Sequence, residues 1–208
     1  MDWKWLIAPG SFFVIAPLTL LVGLVMLWQP ANRRHVLPWW ALFAGACLLT
    51  AASKVSHYAW GTQISRWDLT CFSGHSMLAF AFWPLVLPLL TPARRRPVRA
   101  LLLLAGLALA LLIAVSRVKL GAHPVSEVIA GSVLGLLVST LAGCRLSRTH
   151  LPWPAGLLLA IVLAGLLHVE SRQAALTRSC TEPLFAWIGA HLDGRPPPPV
   201  PCLRTGSG

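Results

Sequence analysis

Residues 100–116 read ALLLLAGLALALLIAVS, a run of 17 residues that contains no charged side chain. A helix needs about 20 apolar residues to cross the hydrocarbon core of a bilayer. Five further apolar runs of similar length occupy residues 11–28, 36–53, 76–92, 128–144 and 151–169. The chain is therefore predicted to form an all-α integral membrane bundle of about six transmembrane helices.

The composition of the whole chain also indicates a membrane environment. Of its 208 residues, 56% are hydrophobic and only 11% are charged, whereas about a quarter of the residues of a soluble domain are charged. The formal net charge is +11, which in a soluble protein would suggest nucleic acid as a partner. Here the basic residues lie between apolar runs and no nucleic-acid-binding motif is present, so we expect membrane lipids as partners and no nucleic acid.

Basic residues are unevenly distributed between the alternate loops. The loops after the first, third and fifth apolar runs contain arginine and no acidic residue, and their arginines are Arg33, Arg34, Arg94, Arg95, Arg96, Arg99, Arg145 and Arg148. Because cytoplasmic loops carry an excess of lysine and arginine, these loops are predicted to face the cytoplasm. The expected location is the inner (plasma) membrane, with both termini on the periplasmic side.

The last part of the chain differs from the rest in composition. Residues 1–170 contain all six apolar runs and are predicted to form one membrane domain, and residues 171–208 are predicted to form an outer Pro-rich tail. Four consecutive prolines from Pro196 to Pro199 favour an extended backbone. An oxidising periplasm would permit a disulfide between Cys180 and Cys202, but their spacing leaves the pairing open.

Two polar clusters lie at the ends of apolar runs on the predicted outer side. Residues 73–75 read SGH and precede the third run, and residues 116–127 read SRVKLGAHPVSE and separate the fourth run from the fifth. Ionisable groups close to the membrane core are costly and are functional candidates for that reason. We therefore expect the functional site to include both clusters.

The second cluster contains the residue types that a nucleophilic site requires. If a helix begins at Pro124, His123 and Glu127 lie one turn apart on the same face. A carboxylate there can fix the tautomer of the imidazole and leave the other ring nitrogen free to attack. Arg117 carries a planar fork of donors that suits a phosphate, and a structural ion pair between Arg117 and Glu127 is the plainer alternative.

The first cluster fits the N-terminus of the third helix. Ser73 would be its N-cap, and the amides of residues 73–75 could then face an anion. His75 could protonate a leaving oxygen. The plainer alternatives are a capping serine, a glycine turn and an interfacial histidine. A metal site is a further alternative, although basic neighbours would repel a cation; its ligands would be His75, His123 and Glu127, with His57 or Cys71.

Taken together, the two clusters resemble the motifs of the phosphatidic acid phosphatase type 2 superfamily of membrane phosphatases, which are K-x6-RP, PSGH and SR-x5-H-x3-D. Residues 116–127 match the third motif in spacing, with Glu127 in place of the aspartate. Residues 72–75 match the second motif, with Phe72 in place of the proline. Lys54 corresponds to the first-motif lysine, but Gly61 and Thr62 stand where arginine and proline would follow.

The resemblance implies a phosphohistidine mechanism that needs no metal and no other cofactor. His123 would attack phosphorus, Glu127 would orient His123, and His75 would be the general acid for the leaving group. The remaining motif residues would bind the phosphoryl oxygens and stabilise the charge of the transition state; they are Lys54, Ser73, Gly74 and Arg117.

The degraded first motif lacks the arginine that would donate hydrogen bonds to the phosphate, and three residues could compensate for this loss. Arg66 lies in the same loop and could replace the missing arginine, as could Lys119. Asp68 could position a basic residue or a water molecule. A plain surface pair of Arg66 and Asp68 is the alternative.

The implied function is that of a phosphatase acting on a phosphomonoester or diphosphate of a lipid at the outer face of the membrane. A phospholipid or a polyprenyl phosphate would be the substrate, and the candidates are phosphatidic acid, phosphatidylglycerophosphate, a polyprenyl diphosphate and lipid A. Two alternatives stay open. One is a lipid phosphotransferase with the same mechanism, and the other is an inactive membrane binding or structural protein of phosphatase descent.

Overall fold

The protein is a bundle of helices. The computed structural model describes residues 3–29, 32–146, 149–196 and 198, and for residues 171–182 it describes the backbone alone. Two short 3₁₀ turns, Trp3–Leu6 and Ala8–Gly10, precede the first helix, and a third, Ser65–Trp67, follows the second. The α-helices of the described residues are α1 (Phe12–Leu27), α2 (Arg33–Trp60), α3 (Gly74–Leu89), α4 (Arg96–Lys119), α5 (Val125–Leu146) and α6 (Trp153–Leu192).

Most of each predicted apolar run lies in one of these helices, which confirms an all-α membrane bundle. The expected count of six spans is not reproduced, because α3 has 16 residues and is shorter than a helix that crosses the membrane alone. The turns at residues 3–10 and α1 could together form one span with a bend of 42°. Four helices of the described residues are long and apolar enough by themselves, namely Arg33–Trp60, Arg96–Lys119, Val125–Leu146 and Trp153–Glu170.

Helix α3 lies at the centre of the bundle, packed between α4 and α5. Beyond its first turn it is apolar on every face, and most of its side chains are buried, as expected for a helix surrounded by others. Glycines of the neighbouring helices allow this close packing. A Cβ atom at Gly131 of α5 would lie 2.5 Å from the Ser73 carbonyl oxygen, and one at Gly106 of α4 would lie 2.6 Å from that of Trp83.

The antiparallel order of the helices brings the two polar clusters to one end of the bundle. The ends of α2 and α4 and the beginnings of α1, α3 and α5 surround a cavity there, together with part of α6. The arginine-rich loops lie at the opposite end, where Arg99 Nη1 donates a hydrogen bond to the Thr149 carbonyl oxygen at 3.1 Å. We refer to these as the site end and the arginine end.

Helix α6 continues through the predicted domain boundary at residue 170 and ends at Leu192. Beyond it, Arg195 donates hydrogen bonds to the carbonyl oxygens of Tyr58 and Ala59 at 2.9 and 2.7 Å. This part of the predicted tail is therefore anchored to the end of α2. The side chains of Cys180 and Cys202, whose pairing the sequence left open, lie outside the described residues.

Candidate active site

The central pair of the site lies at the N-terminal end of α5. The helix begins at Val125, one residue after the expected start at Pro124, and Glu127 lies in its first turn. His123 Nδ1 donates a hydrogen bond to Glu127 Oε2 at 2.5 Å. Because Nδ1 carries the proton, the lone pair of the imidazole is on Nε2, the nitrogen that remains free to attack.

The Glu127 carboxylate is held from the other side by the segment that precedes α3. Its Oε1 accepts hydrogen bonds from the amide groups of Thr70 and Cys71, each at 3.2 Å, and from the Thr70 hydroxyl. The Glu127 side chain is 4% exposed. A carboxylate with this many donors is fixed in position, so it can in turn fix the His123 ring.

The electrostatics of the site favour a neutral His123. Burial lowers the pKa of His123, because it disfavours the charged imidazolium, and the positive charges of Lys54 and Arg117 lower it further. The hydrogen bond and the charge of Glu127 act in the opposite direction, but the net shift is downward. The His123 ring is therefore neutral at pH 7, as a nucleophile must be.

The start of α3 is arranged differently from the sequence-based expectation. Ser73 is the N-cap residue, but its side chain makes no capping hydrogen bond, and its Oγ lies 3.0 Å from the hydroxyl of Ser76. Its amide donates to the backbone carbonyl oxygen of Glu127 at 3.1 Å. Ser73 therefore ties α3 to α5 and is fully buried, while Gly74 and His75 line the cavity.

The cavity at the site end has a volume of about 670 Å³. The predicted site residues that line it are Lys54, Gly74, His75, Arg117, His123 and Glu127. Lys54 and Arg117 are largely buried, so their positive charges act in a medium less polar than water. Apolar and aromatic side chains complete the wall; among them are Ile7, Phe12, Phe13, Leu78 and Phe185.

The three auxiliary candidates lie outside this cavity. Arg66 and Asp68 are exposed in the loop between α2 and α3, and Lys119 is exposed at the end of α4. The backbone carbonyl oxygen of Asp68 accepts a hydrogen bond from Ser126 Oγ at 2.8 Å, so this loop is attached to the start of α5.

Phe72, which replaces the proline of the second motif, has a specific backbone role. Its amide donates a hydrogen bond to Ser53 Oγ at 3.1 Å. Proline has no amide hydrogen and could not make this bond. The substitution therefore ties the segment before α3 to α2, next to Lys54.

Thr70, Cys71 and Ser53 were not identified from the sequence as site residues that hold Glu127 or its neighbours. Thr70 and Cys71 are 57 and 56 residues from Glu127 along the chain, and no spacing rule connects them. Lys54 Nζ also lies 5.5 Å from the centroid of the Phe185 ring, and this contact joins α2 to the second half of α6. The one sequence feature that could have indicated these contacts is the polar Thr70, which lies just before the cluster at residues 73–75.

A metal could in principle use three of these residues. Donor atoms of Cys71, His123 and Glu127 lie within 4.8 Å of one another, and this is the candidate group found among the described residues. His75 and His57, which the metal alternative also named, are not part of it. The same atoms of Glu127 already accept hydrogen bonds, and Lys54 and Arg117 line the cavity, so the arrangement suits an anion better than a cation.

Comparison with known proteins agrees with the motif pattern. Residues 58–148 match the PAP2 superfamily, and this region contains both polar clusters. The "Uncharacterized 22.5 kDa protein in cps region" of Klebsiella pneumoniae is 33% identical over 195 residues, which cover 91% of this chain and 92% of that protein. No solved structure matches the chain. The motifs, the helical bundle around them and this similarity establish that the chain belongs to the PAP2 superfamily.

Proposed function

We propose that this protein is a phosphatase that removes phosphate from a membrane lipid through a phosphohistidine intermediate. The observation that carries the proposal is the 2.5 Å hydrogen bond between His123 and Glu127 inside a cavity that two buried cations also line. Membership of a superfamily whose members are generally phosphatases supports the reaction class.

In the first step, Nε2 of His123 attacks phosphorus and the bond between phosphorus and the leaving oxygen breaks. The leaving oxygen takes the proton of His75, which lines the cavity at the start of α3. Glu127 keeps the proton of His123 on Nδ1 and stabilises the positive charge that develops on the ring. In the second step, a water attacks the phosphohistidine, His75 accepts its proton, and phosphate leaves.

The negative charge of the phosphoryl group requires donors close to its oxygens. Lys54 and Arg117 are the cations that line the cavity, and Gly74 and His75 line it at the N-terminus of α3, where helix amides attract an anion. Such fixed charges act more strongly in a site screened from water than on an exposed surface. The proposed steps use side chains and backbone groups of this chain and involve no metal.

The walls of the cavity support a lipid as the substrate. Aromatic and aliphatic side chains of α1, α3 and α6 border the polar groups, and a lipid could reach them laterally between helices. We place the site at the outer face of the inner membrane, because the arginine-rich loops lie at the opposite end. A reporter fused after Arg96 should give a cytoplasmic signal, and a periplasmic signal there would reverse this orientation.

The test is phosphate release by the purified protein in detergent micelles. Phosphatidic acid, phosphatidylglycerophosphate, a polyprenyl diphosphate and lipid A would each be supplied as substrate to the wild type, His123→Ala and His75→Ala. We expect both variants to lose activity, by at least about a hundredfold for a general acid. His150→Ala, an exposed histidine at the arginine end, is the matched control and should remain active.

The same assay separates the alternatives. Transfer of the phosphoryl group to an added lipid acceptor, without release of phosphate, would indicate a phosphotransferase. If the wild type neither released nor transferred phosphate from any of the four lipids, the enzymatic proposal would be abandoned in favour of a membrane binding or structural protein.

A further inference from the structure

The start of α1 lies against the proposed general acid. A Cβ atom at Gly10 would lie 3.4 Å from Cδ2 of His75 and 2.6 Å from a methyl carbon of Ile113, so the backbone here is packed directly on the His75 ring. Ser11 follows Gly10 and lines the cavity. Because His75 protonates the leaving oxygen in the proposed mechanism, Ser11 lies on the side of the leaving group.

The Ser11 hydroxyl is not used by the fold. Ser11 is 3% exposed, and its Oγ has no hydrogen-bond partner within the described part of the chain. A serine at an N-cap usually accepts a hydrogen bond from an amide of the first turn. Here the amides of Val14 and Ile15 instead donate to the Ser11 carbonyl oxygen, at 3.2 and 3.0 Å. A buried hydroxyl without a partner is costly, and a ligand group would remove that cost.

A carboxylate lines the same cavity from α6. Glu170 is 7% exposed, and it makes no hydrogen bond or ion pair with any residue that the structure describes. A buried carboxylate is normally paired with donors. Both α1 and the 3₁₀ turn before it pack against α6, and Ser11 and Glu170 line the same cavity.

Resting on the proposed function, we propose that Ser11 and Glu170 form a subsite for the leaving group, and that this subsite selects lipid phosphates whose leaving group donates hydrogen bonds. A carboxylate accepts hydrogen bonds and repels anions. A hydroxyl beside the leaving oxygen would therefore satisfy Glu170, with Ser11 as a second partner. A second phosphoryl group at this position would be repelled.

Three substrates distinguish these possibilities. The leaving group of phosphatidylglycerophosphate has a glycerol hydroxyl next to the scissile bond, that of phosphatidic acid has none, and that of a polyprenyl diphosphate has a negatively charged phosphoryl group bonded directly to the scissile oxygen. We expect the wild type to have its highest kcat/KM with phosphatidylglycerophosphate and its lowest with the diphosphate. A wild type that prefers the diphosphate would overturn the proposal.

Variants test whether the two residues cause this preference. Glu170→Gln should lower kcat/KM for phosphatidylglycerophosphate by about ten- to a hundredfold, the range expected for a lost hydrogen bond to a charged group. Its activity on phosphatidic acid should stay within about twofold, since that substrate has no donor for Glu170 to bind. Ser11→Ala should show the same pattern with a smaller loss, of about two- to tenfold.

The matched control is Thr19→Val. Thr19 is also a buried hydroxyl of α1 without a hydrogen-bond partner in the described chain, but it does not line the cavity. It should leave the ratio of the two activities unchanged. Equal losses on all substrates in Glu170→Gln and Ser11→Ala would indicate a structural role and overturn the subsite. If the wild type were inactive on every lipid, the proposed function itself would fail, which differs from an active enzyme with unchanged ratios.

Discussion

The two ends of the bundle each contain a cavity, and the cavities differ in their chemistry. The cavity at the arginine end, about 460 Å³, lies between α3, α4 and α5 and is lined by aliphatic and small residues, with Arg99 as the charged residue among the described ones. The cavity at the site end has histidines, carboxylates and two cations in its wall. The difference shows where this fold can hold reactive groups.

The two cavities differ in chemistry because different kinds of backbone line them. The sides of helices have no free donors, because their amides are used within the helix. The site end combines helix ends with the non-helical segment at Thr70 and Cys71, whose amides donate hydrogen bonds to Glu127. At the arginine end, Arg99 bonds to the Thr149 carbonyl oxygen and joins α4 to the start of α6. The site end therefore positions the Glu127 carboxylate, whereas the arginine end holds two helices together.

The largest expected difference between the ends concerns Glu127 and Arg99. Glu127→Ala removes the group that orients His123 and should lower kcat by about 10³–10⁴-fold, as for other carboxylates that orient a catalytic histidine. Glu127→Asp keeps the carboxylate and should retain most of the activity. Arg99→Gln should leave kcat unchanged. Phosphate release by the purified proteins measures all three, and intact activity in Glu127→Ala would contradict the orienting role.

Two glycines provide the next comparison. A Cβ at Gly131 or at Gly106 would collide with a backbone carbonyl of α3, at 2.5 and 2.6 Å respectively. Substitution by alanine should therefore destabilise the protein by about 1–3 kcal/mol in either case. Only Gly131 packs on Ser73, next to the site, so Gly131→Ala should also lower kcat, by about a hundredfold if the helices separate by 1 Å.

The measurements are thermal unfolding and the activity of the folded fraction. Similar losses of stability with a difference in activity would support the comparison. Equal effects of Gly131→Ala and Gly106→Ala on activity would show that the spacing between α3 and α5 has no special influence on the site.

A smaller effect is expected for Thr70. Thr70→Val keeps the shape of the side chain but removes the hydroxyl that donates to Glu127, so kcat should fall by about tenfold. Thr149→Val is the counterpart at the arginine end, where the Thr149 hydroxyl donates to the Leu146 carbonyl oxygen at 2.8 Å. It should not alter kcat, and an equal decrease in both variants would argue against a specific role of Thr70.

The smallest effect is a shift in pH dependence. Burial lowers the pKa of His123, with a contribution from the charge of Lys54, so the neutral nucleophile persists to lower pH than an ordinary histidine would. Lys54→Met should raise the pKa of His123 and move the acidic limb of the kcat/KM profile to higher pH. NMR titration of the His123 ring measures this directly. An acidic limb that moved to lower pH would contradict the assigned charge effect, and Arg99→Gln should leave it in place.

Much of the fold could be predicted because a helix that crosses the hydrocarbon core of a bilayer needs about 20 mainly apolar residues. Most of each of the six apolar runs is in a helix, and the superfamily indicated by residues 116–127 is confirmed. The number of spans was not predictable to the same degree. The run at residues 76–92 resembles the others in composition, yet α3 is short and surrounded by protein, and composition alone cannot distinguish burial in protein from exposure to lipid.

The sequence by itself predicted the pair of His123 and Glu127 from their spacing of four at a helix start, although α5 begins at Val125 and His123 lies just before it. It also indicated which side chains could be the general acid, the nucleophile and the hydrogen-bond donors to the phosphate. Only the tertiary structure decided that Thr70 and Cys71 hold Glu127, that Phe72 bonds to Ser53, and that Arg66 lies outside the cavity. These contacts depend on which helix ends meet, and that is a property of the packed bundle that no local spacing contains.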